Sequence, residues 1–184
     1  MLEIYIGSKT NSLINMVYRI KVIIIGEAGV GKTSLVKKFV SGHFTKDYRA
    51  SIGTNMFIKK FDLNSDKKVS IQIWDIAGQE KWTKMRHLYY RGTQGALIVG
   101  DLARRNTFEQ IVQFWSPDMK KYCAEVPIIL LANKSDLNSD ISENNIEIVG
   151  KRINAKLIFH TSAKNGKNVE KSFEMIAKYA LKII

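Results

Sequence analysis

The stretch Tyr18-Arg-Ile-Lys-Val-Ile-Ile-Ile25 runs straight into Gly26-Glu27-Ala28-Gly29-Val30-Gly31-Lys32-Thr33-Ser34. The first part is apolar and β-branched, and both faces are apolar by its end, which predicts a strand buried inside a parallel sheet. Lys32–Val40 then carries Leu35, Val36, Phe39 and Val40 at helical spacing. The turn between strand and helix fits G-x-x-x-x-G-K-[ST]. Its glycines let the backbone curl so that N–H groups face phosphate oxygens, and the helix N-terminus adds the positive end of its dipole. Lys32 can reach β- and γ-phosphates, and the Thr33 hydroxyl can coordinate Mg2+. The competing reading is a glycine-rich turn with an incidental Lys-Thr pair. Average composition would give the four fixed positions by chance in about one such chain per hundred or fewer, and the flanking strand and helix lower that further.

The rest of the chain keeps the same alternation. Strands are predicted at Asn55–Leu63 and Val69–Trp74, joined by the polar hairpin turn Asn64–Lys68, and further strands at Gly95–Gly100, Pro127–Ala132 and Lys156–Phe159. Helices are predicted around Lys81–Tyr90, along Phe108, Ile111, Val112 and Trp115, at Ser142–Asn154, and after Asn168 as N-cap. Pro117 is expected to kink or interrupt the second of these helices. Six strands alternating with helices give an α/β chain: a mostly parallel six-stranded sheet with helices on both faces, three layers in all. At roughly 100–200 residues per domain, the 184 residues make one domain. It is expected over residues 17–184, with residues 1–16 as an N-terminal extension that forms an arm or an extra strand. Ligands of such sheets sit beyond the C-terminal ends of the strands, so the residues after each strand carry the chemistry.

The third strand ends in Trp74-Asp75-Ile76-Ala77-Gly78-Gln79-Glu80. Asp75 suits Mg2+ held through a water, the Gly78 N–H suits a γ-phosphate contact, and Gln79 can orient an attacking water. Alone, D-x-x-G is usually a turn; its place after the phosphate-loop motif favours function. Between the two lies Phe44-Thr-Lys-Asp-Tyr48-Arg-Ala-Ser51-Ile52-Gly53, a polar stretch suited to a mobile loop. Spacing alone leaves Ser51 equally a Mg2+ ligand or a solvent-facing serine.

The fifth strand ends in Asn133-Lys134-Ser135-Asp136. A carboxylate only accepts, and guanine offers donors at its ring N–H and exocyclic amine, so Asp136 can take both. Adenine presents an acceptor at the ring position, and a buried unpaired polar group costs about 1–3 kcal/mol, more for a charge. Asn133 can bond the base and neighbouring loops, and the Lys134 stem can cover one face of the ring. After the sixth strand, Thr161-Ser162-Ala163-Lys164 can offer backbone N–H groups to the guanine carbonyl.

In this order, the phosphate loop, D-x-x-G-Q-E, N-K-x-D and S-A-K resemble the Ras superfamily of small GTPases over about residues 17–182. Trp74–Glu80, Tyr89-Tyr90-Arg91-Gly92 and Asn106-Thr-Phe-Glu109 resemble its Rab branch. The resemblance implies the P-loop NTPase fold, GTP and GDP in a site formed by Gly26–Ser34, Phe44, Tyr48, Ser51, Gly78, Asn133, Lys134, Asp136 and Ser162–Lys164, and Mg2+ on Thr33, Ser51 and, through water, Asp75. Phe44 would lie edge-on to the guanine, and Tyr48 would help close the first switch. Lys32 and Gln79 would carry catalysis. The second switch would run from Gly78 to about Tyr90, and Ile52, Gly53, Met56, Trp74, Trp82 and Tyr89 would face effectors. A monomer served in trans by an activating protein, an exchange factor and effectors is implied, with a role in membrane trafficking. Departures are Ser51 for the usual Thr, Met56 for the usual Phe, and Trp82 for Phe or Tyr. No cysteine lies near Tyr179–Ile184, where Rab proteins are normally prenylated; either the native chain is longer or it is not prenylated.

Composition sets outer limits. Cys123 is the sole cysteine, so an intrachain disulfide and a cysteine-built zinc site are excluded and a reducing cytoplasmic setting is expected. Lys plus Arg is 29 against 17 Asp plus Glu, a formal net charge of +12. That permits weak contact with an anionic membrane at its cytoplasmic face. No stacking motif of the common RNA modules accompanies it, so no nucleic-acid partner is expected. The rival readings are a GTP-binding scaffold without hydrolysis, an unprenylated Rab-like regulator outside vesicle traffic, and an ATPase, which Asp136 opposes. His43, His87, His160, Arg86 and Arg91 read as solvated, structural or partner-facing rather than catalytic.

Overall fold

The computed structural model describes residues 17–44, 53–64, 67–78, 86–123 and 125–183. Its strands are β1 (Val17–Ile25), β2 (Thr54–Asn64), β3 (Lys67–Ile76), β4 (Gly95–Asp101), β5 (Ile128–Asn133) and β6 (Leu157–Thr161). They form one sheet in the order β2-β3-β1-β4-β5-β6. Every neighbouring pair is parallel except β2 with β3. The α/β layering expected from the sequence is therefore present, with β2 as its one antiparallel strand.

Alternation along the central strands explains why both faces need cover. In β1, Ile20, Val22 and Ile24 face one core while Ile23 and Ile25 face the other. β4 and β5 split in the same way, Leu97, Val99, Ile129 and Leu131 against Ala96, Ile98, Ile128 and Leu130. The first face is covered by α1 (Lys32–Ser41) and α6 (Val169–Ala180), through Leu35, Val36, Phe39, Val169, Phe173 and Ile176. The rings of Phe39 and Phe173 stack with centroids 4.2 Å apart, and Phe61 meets Phe39 edge-on at 5.9 Å. The second face is covered by α2 (Arg86–Tyr90), α3 (Asn106–Gln110), the segment Ile111–Trp115, α4 (Ser116–Lys120) and α5 (Glu143–Ile153), through Tyr90, Phe108, Trp115, Met119, Ile146 and Ile153.

Two local expectations are corrected. Pro117 does not break its helix: a π-helical segment at Ile111–Trp115 joins α3 to α4, and Pro117 sits in the first turn of α4, where its missing N–H costs least. Asn168 precedes α6 but does not cap it with its side chain. It is left-handed (φ 54°), and its Nδ2 donates instead to the His160 carbonyl at 2.9 Å, tying the loop back to β6. Ser142 does act as the N-cap of α5, accepting from the Asn145 N–H. The extension at 1–16, the turn residues 65 and 66, and the start of the helix expected at Lys81–Tyr90 lie outside the described residues.

Replacing a fully buried aromatic costs about 3–5 kcal/mol through lost transfer energy and the cavity left behind. Phe173→Ala should lower stability by that amount, read as a reduced urea midpoint with an unchanged slope. A loss under about 1 kcal/mol would show that α6 is not held by the Phe39–Phe173 stack.

Candidate functional site

The C-terminal ends of β1, β3, β4, β5 and β6 share one edge of the sheet, because those strands run parallel. After β1 the chain turns at Gly26 (φ +141°), where a Cβ would stand 2.3 Å from the Val99 carbonyl oxygen. At Gly31 (φ +99°) a Cβ would stand 2.4 Å from Asn133 Nδ2. Only glycine fits either position. Helix α1 begins at Lys32 with no side-chain cap and no acidic residue in its first turn, so its N-terminal dipole end is not offset by a carboxylate. Lys32 is buried, and its Nζ donates to the carbonyls of Gly26 at 2.7 Å and Glu27 at 2.9 Å. The charge is thereby held inside the loop. Glu27 folds locally, its Oε1 accepting from the Ala28 N–H at 3.0 Å.

Across from the loop, the Thr33 hydroxyl donates to Asp75 Oδ2 at 2.5 Å. Asp75 is fully buried, and its Oδ1 has no hydrogen bond among the described residues. Burial pushes the Asp75 carboxyl above the usual carboxylate range, while the Thr33 bond, the charges of Lys32 and Lys37 and the Asn55 amide pull it back. Gly78 lies against the phosphate loop itself: a Cβ there would come within 2.5 Å of the Ala28 N and 2.7 Å of the Gly26 carbonyl oxygen. The expected D-x-x-G turn therefore does meet the loop, and the glycine is required by that approach.

A hydroxyl and a buried carboxylate with an oxygen to spare are hard oxygen donors, and they fit Mg2+, which keeps several waters and takes few protein ligands. Among the described residues no group of three or more His, Cys, Asp or Glu could hold a metal by itself. Of the described residues, Thr33 and, through water, Asp75 are the ones that would hold such an ion. Ser51, the further ligand expected, lies outside the described residues, as do Tyr48, Ile52, Gln79 and Trp82.

On the other side, Asn133 is buried and bonded at both ends of its amide. Its Nδ2 donates to the Val30 carbonyl at 2.8 Å, and its Oδ1 accepts from the Thr161 hydroxyl at 3.1 Å. One amide thus joins the phosphate loop, β5 and β6. Asp136 Oδ1 accepts from the Ser162 hydroxyl at 2.6 Å, and Lys164 Nζ stands 3.8 Å from its Oδ2. The N-K-x-D and S-A-K segments are therefore in contact, with Ala163 buried beside them. Phe44 is half-buried and packs on the α1–α6 core.

Of the surface expected to face effectors, Gly53, Met56, Trp74 and Tyr89 are among the described residues. Met56 is 52% exposed and sits opposite Trp74 in the β2–β3 register. The Trp74 and Tyr89 rings lie 6.1 Å apart, and Lys21 Nζ stands 4.3 Å over Trp74. The Gly53 carbonyl accepts from the Ala77 N–H at 3.0 Å, joining the end of the first loop to the turn after β3. His43 is exposed, His87 faces Tyr122, and His160 Nε2 is 3.2 Å from Glu143 Oε2.

Sequence reasoning missed Asp101 and Arg104. Asp101 ends β4 as a buried carboxylate paired with both Arg104 and Lys134. Its position at the C-terminal end of a parallel strand was the available signal.

The Ras family model matches residues 21–182. Ras-related protein Rab-32 of Homo sapiens is 37% identical over 168 residues, 88% of this chain and 74% of that protein. Ras-related protein Rab-19 of Homo sapiens is 37% identical over 167 residues, 89% and 76%. The Ypt/Rab-type GTPase YPT7 of Saccharomyces cerevisiae is 34% identical over 170 residues, 88% and 81%. The chain belongs to the Ras family, as a Rab-like small GTPase.

The raised Asp75 pKa sets a pH dependence. Between the unfolded value, near 3.8, and its higher folded value, the native chain binds more protons than the unfolded one. The contribution of Asp75 to stability is therefore complete below that window and lost as pH rises through the folded value. In EDTA, from about pH 4 to about pH 7, the melting temperature of Asp75→Asn should gain on that of the wild type. A difference constant across that range would show that Asp75 is not desolvated as described.

Proposed function

We propose that this chain takes up GTP and GDP along the sheet edge formed by Gly26–Ser34, Gly78, Asn133–Asp136 and Ser162–Lys164, and that it works there as a GTP-hydrolysing switch of the Rab type in membrane trafficking. The observation that carries the reading is the Asn133 amide, which bonds the phosphate loop at Val30 while its own segment supplies Asp136. Phosphate-facing and base-facing loops are thereby held on one rigid frame, as a nucleotide with a charged tail and a hydrogen-bonding ring requires.

In this reading Lys32 neutralises charge on the β- and γ-phosphates from inside the loop, and the Gly78 N–H meets the γ-phosphate. Asp136 accepts from the guanine ring N–H and amine, which selects against adenine. Gln79 orients water for in-line attack. Thr33, Ser51 and, through water, Asp75 would hold Mg2+, which would offset phosphate charge. Phe44 and Tyr48 border the base and the first switch. With no arginine assigned to the γ-phosphate, intrinsic turnover is slow, and an activating protein adds about 10³–10⁵-fold. Exchange factors and effectors act in trans on a monomer, the latter across Ile52, Gly53, Met56, Trp74, Trp82 and Tyr89. Among the described residues no helix is long and apolar enough to cross a membrane. The +12 charge supports peripheral contact with anionic lipid, weak and salt-dependent.

Purified protein with GTP and Mg2+ should release phosphate slowly, and GTP but not ATP should displace bound GDP. Gln79→Leu should slow release on the order of 10- to 100-fold with GTP binding retained. Tight GTP binding with no phosphate release above buffer would reduce the protein to a scaffold. Failure to bind either guanine nucleotide at micromolar concentration would remove the reading altogether.

A further inference from the structure

Asp101 brings together two cations from distant parts of the chain. Its carboxylate is 1% exposed, and Oδ2 accepts from Lys134 Nζ at 2.6 Å and from Arg104 Nε at 2.8 Å. Oδ1 accepts from the Ala103 N–H at 3.1 Å. Arg104 reaches further: its Nη2 donates to the Ala28 carbonyl on the phosphate loop at 2.9 Å. Thr107 braces the turn, its hydroxyl accepting from the Asp101 N–H at 2.9 Å and donating to the Arg104 carbonyl at 2.7 Å. Lys134 itself is left-handed (φ 65°), a conformation that persists in a non-glycine residue only where its surroundings impose it.

Hence a line of charge-assisted bonds runs from the lysine beside the base site, through one buried carboxylate, to the outer carbonyl of the phosphate loop. This line is separate from the Asn133–Val30 bond, and its Arg104–Ala28 end is exposed. We propose that Asp101 and Arg104 are positioning residues for nucleotide retention: they strap the base loop to the phosphate loop, so that neither can open alone to let nucleotide leave. The guanidinium suits the task because its fork bonds two differently placed acceptors at once, Asp101 through Nε and Ala28 through Nη2. A lysine, as a single point charge, cannot span both. The proposal rests on the nucleotide site as read above.

The test is release of a fluorescent GDP from the full chain with Mg2+, chased by excess GDP. Arg104→Met leaves a partly exposed site and should fold; it should speed release about 10-fold, the effect of losing charge-assisted bonds. Arg104→Lys should stay nearly as fast as Arg104→Met, and Asp101→Asn should accelerate release on the same scale. Because all act on one strap, Asp101→Asn with Arg104→Met should release no faster than the quicker single variant. The acceleration should appear in release and not in single-turnover cleavage of GTP already bound. Release within about 2-fold of wild type in folded Arg104→Met, or multiplying effects in the double variant, would overturn the strap. A parallel fall in cleavage would overturn it as well, by placing Arg104 on the γ-phosphate. If the wild type bound no labelled GDP, the nucleotide reading and this proposal would fall together. If it bound and the variants released alike, the proposal alone would fall.

Discussion

The amide of Asn133 is the joint on which the sheet edge depends. It is buried, donates to one loop and accepts from another, and so spends both ends of its dipole on groups that would otherwise be unpaired. Its Nδ2 reaches Val30 because Gly31 offers no side chain to block it. The glycine of the phosphate loop and the asparagine after β5 are thus one steric solution, although 103 and not a handful of positions separate Asn133 from the carbonyl it holds. A larger residue at 31 would push the amide away and leave both Val30 and Thr161 short of a partner, at about 1–3 kcal/mol for each unpaired group.

The same economy governs Gly26 and Gly78. Gly26 leaves β1 through a conformation that L-residues rarely adopt while pressed against the Val99 carbonyl, and Gly78 passes over the loop at a distance no Cβ could share. Parallel β1, β3 and β4 bring these backbones within touch, because their ends align by register: Ile24 with Asp75 on one side and with Leu97 on the other. The apolar residues of these strands secure the register by burying opposite faces against α1 and α6 or against α2 to α5. Packing far from the edge therefore fixes distances at it.

How much of this was legible in the sequence follows from the kind of constraint involved. Strand and helix alternation was legible because both cores impose periodic apolar positions. The phosphate loop and the N-K-x-D and S-A-K segments were legible because each compresses its chemistry into a few consecutive residues. The Asp101 strap was not, since Arg104 meets Ala28 across 76 positions and Lys134 meets Asp101 across 33. An Asp and two Arg after a strand look like any polar turn. Asn168 has the composition of an N-cap, yet tertiary contact with His160 claims its side chain. Pro117 has the composition of a break, yet the chain stays helical on both sides of it, through a π-helical segment and then α4. Local propensity lost in both places to interactions that no window of sequence contains.

Two features of the sheet edge are left unsatisfied by the described residues themselves. Asp75 keeps a buried oxygen without a hydrogen bond, and α1 starts with no side-chain cap on its first turn. Either feature placed in the core would be a defect costing about 1 kcal/mol or more. Here the two are joined by the Thr33–Asp75 bond, next in the chain to a buried lysine held by backbone carbonyls. An anion carrying a divalent cation would answer the helix end and the carboxylate together. Stability given up at the edge by the chain alone is regained on binding, in proportion to the logarithm of ligand over its dissociation constant. That linkage makes nucleotide retention and fold stability two readings of one set of contacts, and it is why a strap across the loops acts on both.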